Sequence, residues 1–265
     1  YELRKQHGFD VEWLDPALIQ KMFGMKADGG ILSADGAEMD AYAFTNDVLH
    51  YLNKHDVPVY DQTTETEIIT HRNGLELRTA GNHRIRCKKL VIACGYESQN
   101  YIPFKVCQLH STYSIVSEPN GGPHWFEEAM IWETAQPYTY LRTTFDHRIL
   151  VGGADDPWYN PTKRDASLPR KAKLLKAKFN KLFPHIPFDT DLMWAGTFAV
   201  TKDGLPYIGS IRQRPHTYFA MGFGGNGITF SMVAAEILRD LVCDRKNEKA
   251  QLFQFNRSTT SDYPG

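Results

Sequence analysis

Apolar residues recur at intervals of three and four in three segments of the chain, and this spacing predicts three amphipathic helices. The first covers residues 41–55, since Asp40 is a suitable N-terminal cap and an apolar stripe follows it: Ala41, Phe44, Val48, Tyr51 and Leu52. The second is expected to open at Ser167, with Pro169 as part of its start signal, and to end before Pro184. The third begins near Ile228 and is the last long element of the chain.

Shorter runs rich in β-branched and aromatic residues lie between these helices and predict strands. A strand is expected at residues 57–60, and a meander at residues 66–93 whose last strand covers residues 84–93. Three further strands are expected between residues 107 and 153, and one at residues 218–221. This order of elements predicts a mixed α/β fold that contains an antiparallel or mixed sheet.

The amino-acid composition and net charge indicate which class of ligand to expect. The 265 residues include 30 basic and 31 acidic side chains, for a net charge of −1. Such a balance favours neither nucleic acid nor an anionic membrane, so a small molecule is the expected ligand. The longest apolar run, residues 90–94, is far short of the ~20 residues that a membrane span requires, which predicts a soluble protein. The four cysteines lack metal-ligand spacing, so no metal site is expected, and reduced thiols in a cytoplasmic protein fit best.

A glycine-rich segment, residues 222–227, reads Gly-Phe-Gly-Gly-Asn-Gly and lies between a predicted strand and a predicted helix. It satisfies the dinucleotide-binding pattern G-x-G-x-x-G, which would suggest a nicotinamide dehydrogenase. The complete dinucleotide fold needs further βα units after that helix, however, and only a short polar tail follows. Two interpretations remain: a loop whose backbone N–H groups meet a flat or anionic ligand, or a turn with no ligand.

Two motifs carry a resemblance to a known family. Residues 202–209, Lys-Asp-Gly-Leu-Pro-Tyr-Ile-Gly, are followed by residues 222–229, Gly-Phe-Gly-Gly-Asn-Gly-Ile-Thr, and a helix. This order resembles the carboxy-terminal signature of the FAD-dependent oxidoreductases of the D-amino-acid oxidase, glycine oxidase and sarcosine oxidase superfamily. Residues 35–52 and 90–98 resemble earlier segments of the same family in the same order, so the resemblance covers nearly the whole chain.

The resemblance implies a partial FAD-binding domain, residues 36–100 and 199–265, and a substrate domain with an antiparallel or mixed sheet, residues 1–35 and 101–198. In that family the pyrophosphate-binding G-x-G-x-x-G loop belongs to an amino-terminal βαβ unit, whereas this chain begins with Tyr1. We therefore expect a truncated chain that is inactive by itself and holds FAD poorly. The alternative is a non-catalytic binding or structural remnant of the fold that holds no flavin.

The resemblance also implies which residues contact FAD. The FAD is expected to be non-covalent, because no cysteine stands near residue 198 for covalent attachment. The glycine-rich segment and the first helical turn would line the flavin ring, two residues after a buried strand would lie near the ring or its ribityl chain, and one backbone segment would meet the adenine. The residues are Phe223, Gly224, Gly225, Asn226, Gly227, Ile228 and Thr229, then Ala93 and Gly95, and last Glu67.

Phe198 is a departure from the family pattern. Glycine-oxidase-like members carry an arginine at this position, which binds the substrate carboxylate through two hydrogen bonds. Arg142, beside Tyr140 on a predicted strand, is the expected substitute, with a surface arginine as the alternative. The implied reaction is hydride transfer from a carbon that bears a neutral amine to FAD, with no side chain assigned as a base. The acids Asp155 and Asp156 are expected to point in opposite directions and to have no catalytic role.

Overall fold

The computed structural model describes residues 1–122 and 124–257. In chain order its elements are α1 (Glu2–Gln6), β1 (Val11–Leu14), α2 (Pro16–Phe23), β2 (Gly30–Ser33), α3 (Ala41–Lys54), β3 (Glu65–His71), β4 (Gly74–Thr79), β5 (Arg84–Cys87), β6 (Leu90–Ile92), β7 (Cys107–Ser117), β8 (Ile131–Trp132), β9 (Thr139–Thr143), β10 (Ile149–Asp156), α4 (Pro161–Leu182), β11 (Thr190–Thr201), β12 (Tyr207–Ser210), β13 (Thr217–Met221), α5 (Gly227–Val242) and α6 (Ala250–Phe253). Gly95–Tyr101 and Phe126–Glu128 form 3₁₀ turns. The mixed α/β fold with antiparallel and mixed sheets is as predicted.

The chain divides into two compact units. The first unit combines residues 1–39 and 110–197. Its main sheet has the strand order β11-β7-β10-β9-β8, and β10 runs antiparallel to both of its neighbours. Helix α4 packs against β10. The core of this unit is strongly aromatic, and its largest fully buried side chains include Tyr113, Phe179 and Phe183.

The second unit combines residues 40–109 with the chain from residue 198 onward. One of its sheets is the antiparallel meander β3-β4-β5, and the other has the order β12-β13-β6. In the latter sheet β12 is antiparallel to β13, whereas β6 is parallel to it. Helix α5 packs on β12 and β13 through an apolar face that buries Ala234, Ile237 and Leu238.

Helices α3 and α5 agree with the prediction, whereas α4 begins earlier than predicted. Helix α3 follows its Asp40 cap, whose carboxylate accepts a hydrogen bond from the N–H of Ala43 at 2.9 Å. Helix α4 begins six residues before the predicted start, because the Asn160 side chain caps it and Pro161 occupies its first position. Pro169 therefore lies inside the helix rather than at its start.

The strand predictions were wrong in two places. Residues 57–60 form no strand. The single strand predicted at residues 84–93 is instead β5 and β6, which belong to different sheets and are separated by Lys88 and Lys89. The short elements before residue 35 were not predicted, because none is long enough to show a clear period. No helix among the described residues has both the length and the apolar composition to cross a bilayer.

Candidate functional site

The glycine loop, residues 222–227, connects β13 to α5 in the second unit. Gly222 has φ +74°, and a Cβ added there would lie 2.7 Å from Cγ2 of Thr201, so this position requires glycine on structural grounds. A Cβ at Gly224 or Gly227 would meet nothing within 4 Å, although the φ of +57° at Gly224 also favours glycine. The space beside these two residues is therefore open to a ligand.

The N-terminus of α5 is not capped by a side chain. Asn226 stands at the capping position, but within the described part of the chain its side chain forms no capping hydrogen bond. The first N–H groups of a helix have no partner inside the helix, and the helix dipole makes this end electropositive. Ile228 and Thr229 are exposed here, so their N–H groups can donate to an electron-rich ligand atom.

The predicted cofactor residues after β6 lie at the same edge of the sheet as the glycine loop. Strands β6 and β13 are parallel, with Ile92 opposite Phe219, so their carboxyl ends share one edge. Ala93 and Gly95 follow β6 and are both exposed, and Gly95 has φ +61° with open space around its Cα. The structure thus brings Ala93, Gly95 and the glycine loop together at the edge where ligands bind in open α/β sheets.

Glu67 belongs to a different sheet. It lies on β3 beside a register irregularity, and its carboxylate is 3.0 Å from the Arg78 guanidinium on β4. Both side chains are about half exposed, so the pair contributes little stability. The structure does not place Glu67 at the carboxyl ends of β6 and β13, and its predicted backbone contact with adenine stays a prediction.

The turn at residues 202–205 is linked to the glycine loop through Thr201. The Thr201 hydroxyl donates to the Leu205 carbonyl oxygen at 2.8 Å, and the same threonine contacts Gly222. Asp203 accepts two hydrogen bonds from the Arg257 guanidinium, at 2.7 and 2.8 Å. Arg257 also lies 3.7 Å above the ring of Tyr207. Its hydrogen bonds keep the pKa of Asp203 below its usual range.

The five-stranded sheet of the first unit has one face packed in the core and an opposite face, here called the open face. Strand β9 alternates in burial, with Leu141 in the core and Tyr140 and Arg142 half-buried on the open face. Tyr140 lies over Gly152, where an added Cβ would be 2.1 Å from the ring. The Tyr140 hydroxyl is 3.2 Å from Ser114 Oγ, so this side chain is held in a defined position.

The Arg142 guanidinium forms no hydrogen bond or ion pair with any residue of 1–122 or 124–257. Its positive charge nevertheless acts on the Tyr140 hydroxyl, where it opposes the rise in pKa that burial causes. An unengaged guanidinium beside a tyrosine hydroxyl can bind a carboxylate through two parallel hydrogen bonds.

The two adjacent acids at the end of β10 have different surroundings. Asp156 is on the core side, where its carboxylate accepts hydrogen bonds from Tyr113 Oη at 2.9 Å and Lys171 Nζ at 2.8 Å. Asp155 is half-buried, and its Oδ1 is enclosed without a hydrogen-bond partner among the described residues. Burial raises the pKa of Asp155, against the opposing effect of a hydrogen bond from Thr112.

Two tyrosines complete the surroundings of Asp155. Burial and the Asp155 charge raise the pKa of Tyr138 to about 12, and burial likewise raises that of Tyr140. Both tyrosines therefore stay neutral hydrogen-bond donors near neutral pH. Sequence reasoning missed Asp155 as a candidate, although the Gly152-Gly153 pair before it is a signal for the β-bulge that turns it.

Phe198 lies on β11 and is partly buried. It belongs to the second unit, whereas Tyr140 and Arg142 belong to the first. A phenyl ring provides no donor for a carboxylate. Any carboxylate contact therefore has to come from another residue, and the role of Phe198 stays a prediction.

Comparison with known proteins agrees with the resemblance seen in the sequence. The family model described as FAD dependent oxidoreductase (DAO) matches residues 1–241. D-amino acid dehydrogenase of Neisseria meningitidis is 26% identical over 235 residues, which are 84% of this chain and 53% of that protein. A probable oxidoreductase, OrdL of Haemophilus influenzae, is 28% identical over 116 residues, 43% of this chain and 24% of its own length.

Solved structures share the fold. L-proline dehydrogenase from P. horikoshii superposes with a TM-score of 0.81 at 17% identity, over 96% of this chain and 70% of that one. Glycine oxidase from Geobacillus kaustophilus superposes with a TM-score of 0.79 at 20% identity, over 98% of this chain and 70% of that one. The chain spans about half the length of the D-amino acid dehydrogenases that it matches.

Proposed function

The chain belongs to the family of FAD-dependent oxidoreductases, and from that membership we propose that it is part of a flavoenzyme that oxidises a small amine or amino acid. The proposed reaction is hydride transfer from the carbon that bears a neutral amine to FAD, which gives an imine that water hydrolyses. The D-amino acid dehydrogenase relatives support a substrate of this class. Residues 36–100 and 199–265 are the proposed part of the FAD-binding domain, and residues 1–35 and 101–198 the substrate domain.

Exposed apolar surface on the second unit supports the proposal that this is only part of an FAD-binding domain. Helix α3 buries none of its residues, although Tyr42, Phe44 and Tyr51 are on its surface. Strand β6 is at the edge of its sheet, and Val91 on it is exposed. Edge strands and apolar helix faces of this kind are normally covered by further structure.

One observation carries the cofactor proposal: the open space beside Gly224 and Gly227, next to the uncapped first turn of α5. Residues 223–229, with Ala93 and Gly95 at the same sheet edge, fit a flat ring system with an electron-rich side. FAD, when bound, supplies the hydride acceptor. The N–H groups of Ile228 and Thr229 would donate to the ring oxygen and nitrogen at which negative charge gathers, and so stabilise the reduced state.

The open face of the first unit supplies the proposed substrate contacts. Arg142 would bind the substrate carboxylate through two parallel hydrogen bonds from its guanidinium, and the hydroxyl of Tyr140 would donate to the same carboxylate. These contacts orient the substrate carbon and leave its amine free. No side chain is assigned as a base, since a neutral amine can lose hydride without one.

Purification of the complete protein tests the flavin proposal. We expect the visible spectrum of bound oxidised FAD, either as purified or after FAD is added. A protein that contains no flavin and takes up none would contradict the proposal and would favour a remnant of the fold with no flavin.

The proposed carboxylate anchor is tested by Arg142→Met, with Arg142→Lys as the variant that keeps the charge. Arg142→Met should weaken binding of an amino acid by roughly 10- to 100-fold, and should leave binding of the corresponding amine without a carboxylate unchanged.

A further inference from the structure

One oxygen of the Asp155 carboxylate has no hydrogen-bond partner among the residues that the structure describes. This oxygen, Oδ1, is enclosed. Buried acceptors are almost always paired, because an unpaired one loses its hydration without compensation. A donor from beyond the described residues, such as a ligand, would satisfy this oxygen.

A buried ion pair orients Asp155. The ammonium of Lys171, whose residue is 5% exposed, donates to the carbonyl oxygen of Ala154 at 2.6 Å and to Asp156 at 2.8 Å. Ala154 has φ +53°, and the register between β10 and β7 shifts between Gly153 and Asp156. Lys171 thus holds a β-bulge in place from the core side. With Asp156 bound on that side, Asp155 is on the other side of the strand.

Burial is the largest effect on the Asp155 carboxylate and raises its pKa, and the charge of Asp156 adds to that rise. Thr112 and His110 on β7 and Lys171 on α4 act in the opposite direction but do not cancel the effect of burial on the pKa. Tyr138 and Tyr140 are close enough for the charge of Asp155 to raise their pKa. A cationic ligand that donates to Oδ1 would supply the missing hydrogen bond and favour the ionised carboxylate.

Asp155 and Arg142 are at opposite ends of the open face. Ala154 donates its N–H to the carbonyl oxygen of Tyr138 at 3.4 Å, so Asp155 is beside the start of β9. Arg142 is four residues further along this strand, about 13 Å of extended backbone, and Tyr140 lies between them. The α-carboxylate and α-amine of one amino acid are too close together to span this distance, whereas a long side chain covers much of it.

We propose that Asp155 binds a positively charged group at the end of the substrate side chain, while Arg142 binds the α-carboxylate. The preferred substrates are then amino acids with a cationic side chain. This inference rests on the proposed function. The oxidised amine is not the group that Asp155 binds, because hydride leaves the carbon only when the nitrogen lone pair is available, and a carboxylate would hold that nitrogen protonated.

The experiment compares lysine with norleucine, which has the same carbon chain but no terminal amine, on the complete FAD-loaded protein. Binding of both enantiomers of each is measured by calorimetry, and flavin reduction is followed separately. The variants are Asp155→Asn, which removes the charge and keeps the shape, and Asp155→Ala. Asp189→Asn is the matched control in the same unit, since that carboxylate is 84% exposed.

We expect lysine to bind more tightly than norleucine, and Asp155→Asn to reduce that preference roughly 10- to 100-fold, whereas Asp189→Asn leaves it unchanged. Equal binding of lysine and norleucine by the unaltered protein overturns this inference, as does a lysine preference that survives Asp155→Asn. If norleucine is bound and oxidised in those cases, the proposed function still stands. If neither compound binds in either enantiomer, this inference fails, whereas the proposed function fails only if no other amino acid or small amine reduces the flavin.

Discussion

Lys171 donates to Asp156 from helix α4 across the core side of the β10 bulge, with Nζ 2.8 Å from Oδ1. The lysine side chain is 7% exposed and the aspartate side chain 18% exposed. This pair links the packing of the first unit to its open face, because the same ammonium also holds the carbonyl of Ala154, the residue before Asp155.

Replacement of Lys171 by methionine should lower the free energy of unfolding by about 3–5 kcal/mol, because it leaves the Asp156 carboxylate buried and unpaired. Urea unfolding measures the loss. The double variant Lys171→Met with Asp156→Asn should recover much of it, since no buried charge remains and the amide oxygen still accepts from Tyr113. A single variant within ~0.5 kcal/mol of the unaltered protein would show that the pair does not support the fold.

Gly152→Ala should impair substrate binding while the fold remains stable. The added Cβ would lie 2.1 Å from the Tyr140 ring, and the atoms it meets belong to the far end of that side chain and not to the backbone. Tyr140 would therefore move and lose its contact with Ser114, at a cost in unfolding free energy of about 1–3 kcal/mol. We expect amino-acid affinity to fall by at least about tenfold.

Gly36→Ala is the control for that variant, since its Cβ would make only an ordinary 3.8 Å contact with the Ser33 carbonyl oxygen. Calorimetric titration with an amino acid compares the two variants. Equal affinity in Gly152→Ala and the unaltered protein would mean that the position of Tyr140 does not matter for binding.

Local patterns explain which parts of the fold were predictable. Helices α3 and α5 have sustained apolar stripes, so their starts were predicted to within one residue. Helix α4 was misjudged because Pro169 was taken as a start signal, although Asn160 followed by Pro161 is the stronger combination of cap and first helical residue. A long helix tolerates one internal proline when the rest of its face is well packed.

The candidate site was predictable only where one segment carries it. The glycine loop is contiguous, so its open helix end could be inferred from the residues themselves. The contact of Tyr140 with Gly152 depends on the register of two strands, and register is set by packing across the whole sheet. Asp155 was missed for a similar reason, since a bulge held by Lys171 decides which side of the strand it occupies.

The Asp203 and Arg257 pair should make stability depend on pH in acid. Their side chains are 13% and 7% exposed, and Arg257 holds the pKa of Asp203 below the ordinary value. The ionised carboxylate therefore stabilises the folded state above the unfolded pKa of ~3.9, and this contribution is lost as pH falls through the lower folded pKa. Arg257→Gln should cost about 3–5 kcal/mol at neutral pH.

That loss should shrink as the pH falls below about 4, because protonated Asp203 no longer gains from the arginine. Thermal unfolding of the variant and the unaltered protein across the acid range measures the difference. A loss that stays constant down to the lowest pH would indicate that Arg257 acts through packing on Tyr207 and through its backbone contacts, and not through the charge of Asp203.

Gly227→Ala separates the two interpretations of the glycine loop. A Cβ at this position meets no protein atom within 4 Å, and alanine favours a helix over glycine by up to about 1 kcal/mol. Without FAD, the free energy of unfolding of the variant should equal or exceed that of the unaltered protein. Its FAD affinity, measured by fluorescence titration of the complete protein, should fall by at least about tenfold, because the methyl group occupies the ligand space.

Glu236→Ala, further along the same helix and outside its first turn, is the matched control and should leave FAD affinity unchanged. If Gly227→Ala binds FAD as tightly as the unaltered protein, the loop is only a turn between β13 and α5.

The most direct test of the central claim is anaerobic reduction of the flavin in the complete protein. With FAD bound, addition of an amino acid in the absence of oxygen should bleach the visible absorption of the oxidised flavin and yield the corresponding imine, recovered as keto acid and ammonia. An FAD-loaded protein whose spectrum stays that of oxidised flavin with every amino acid and small amine offered would contradict the claim.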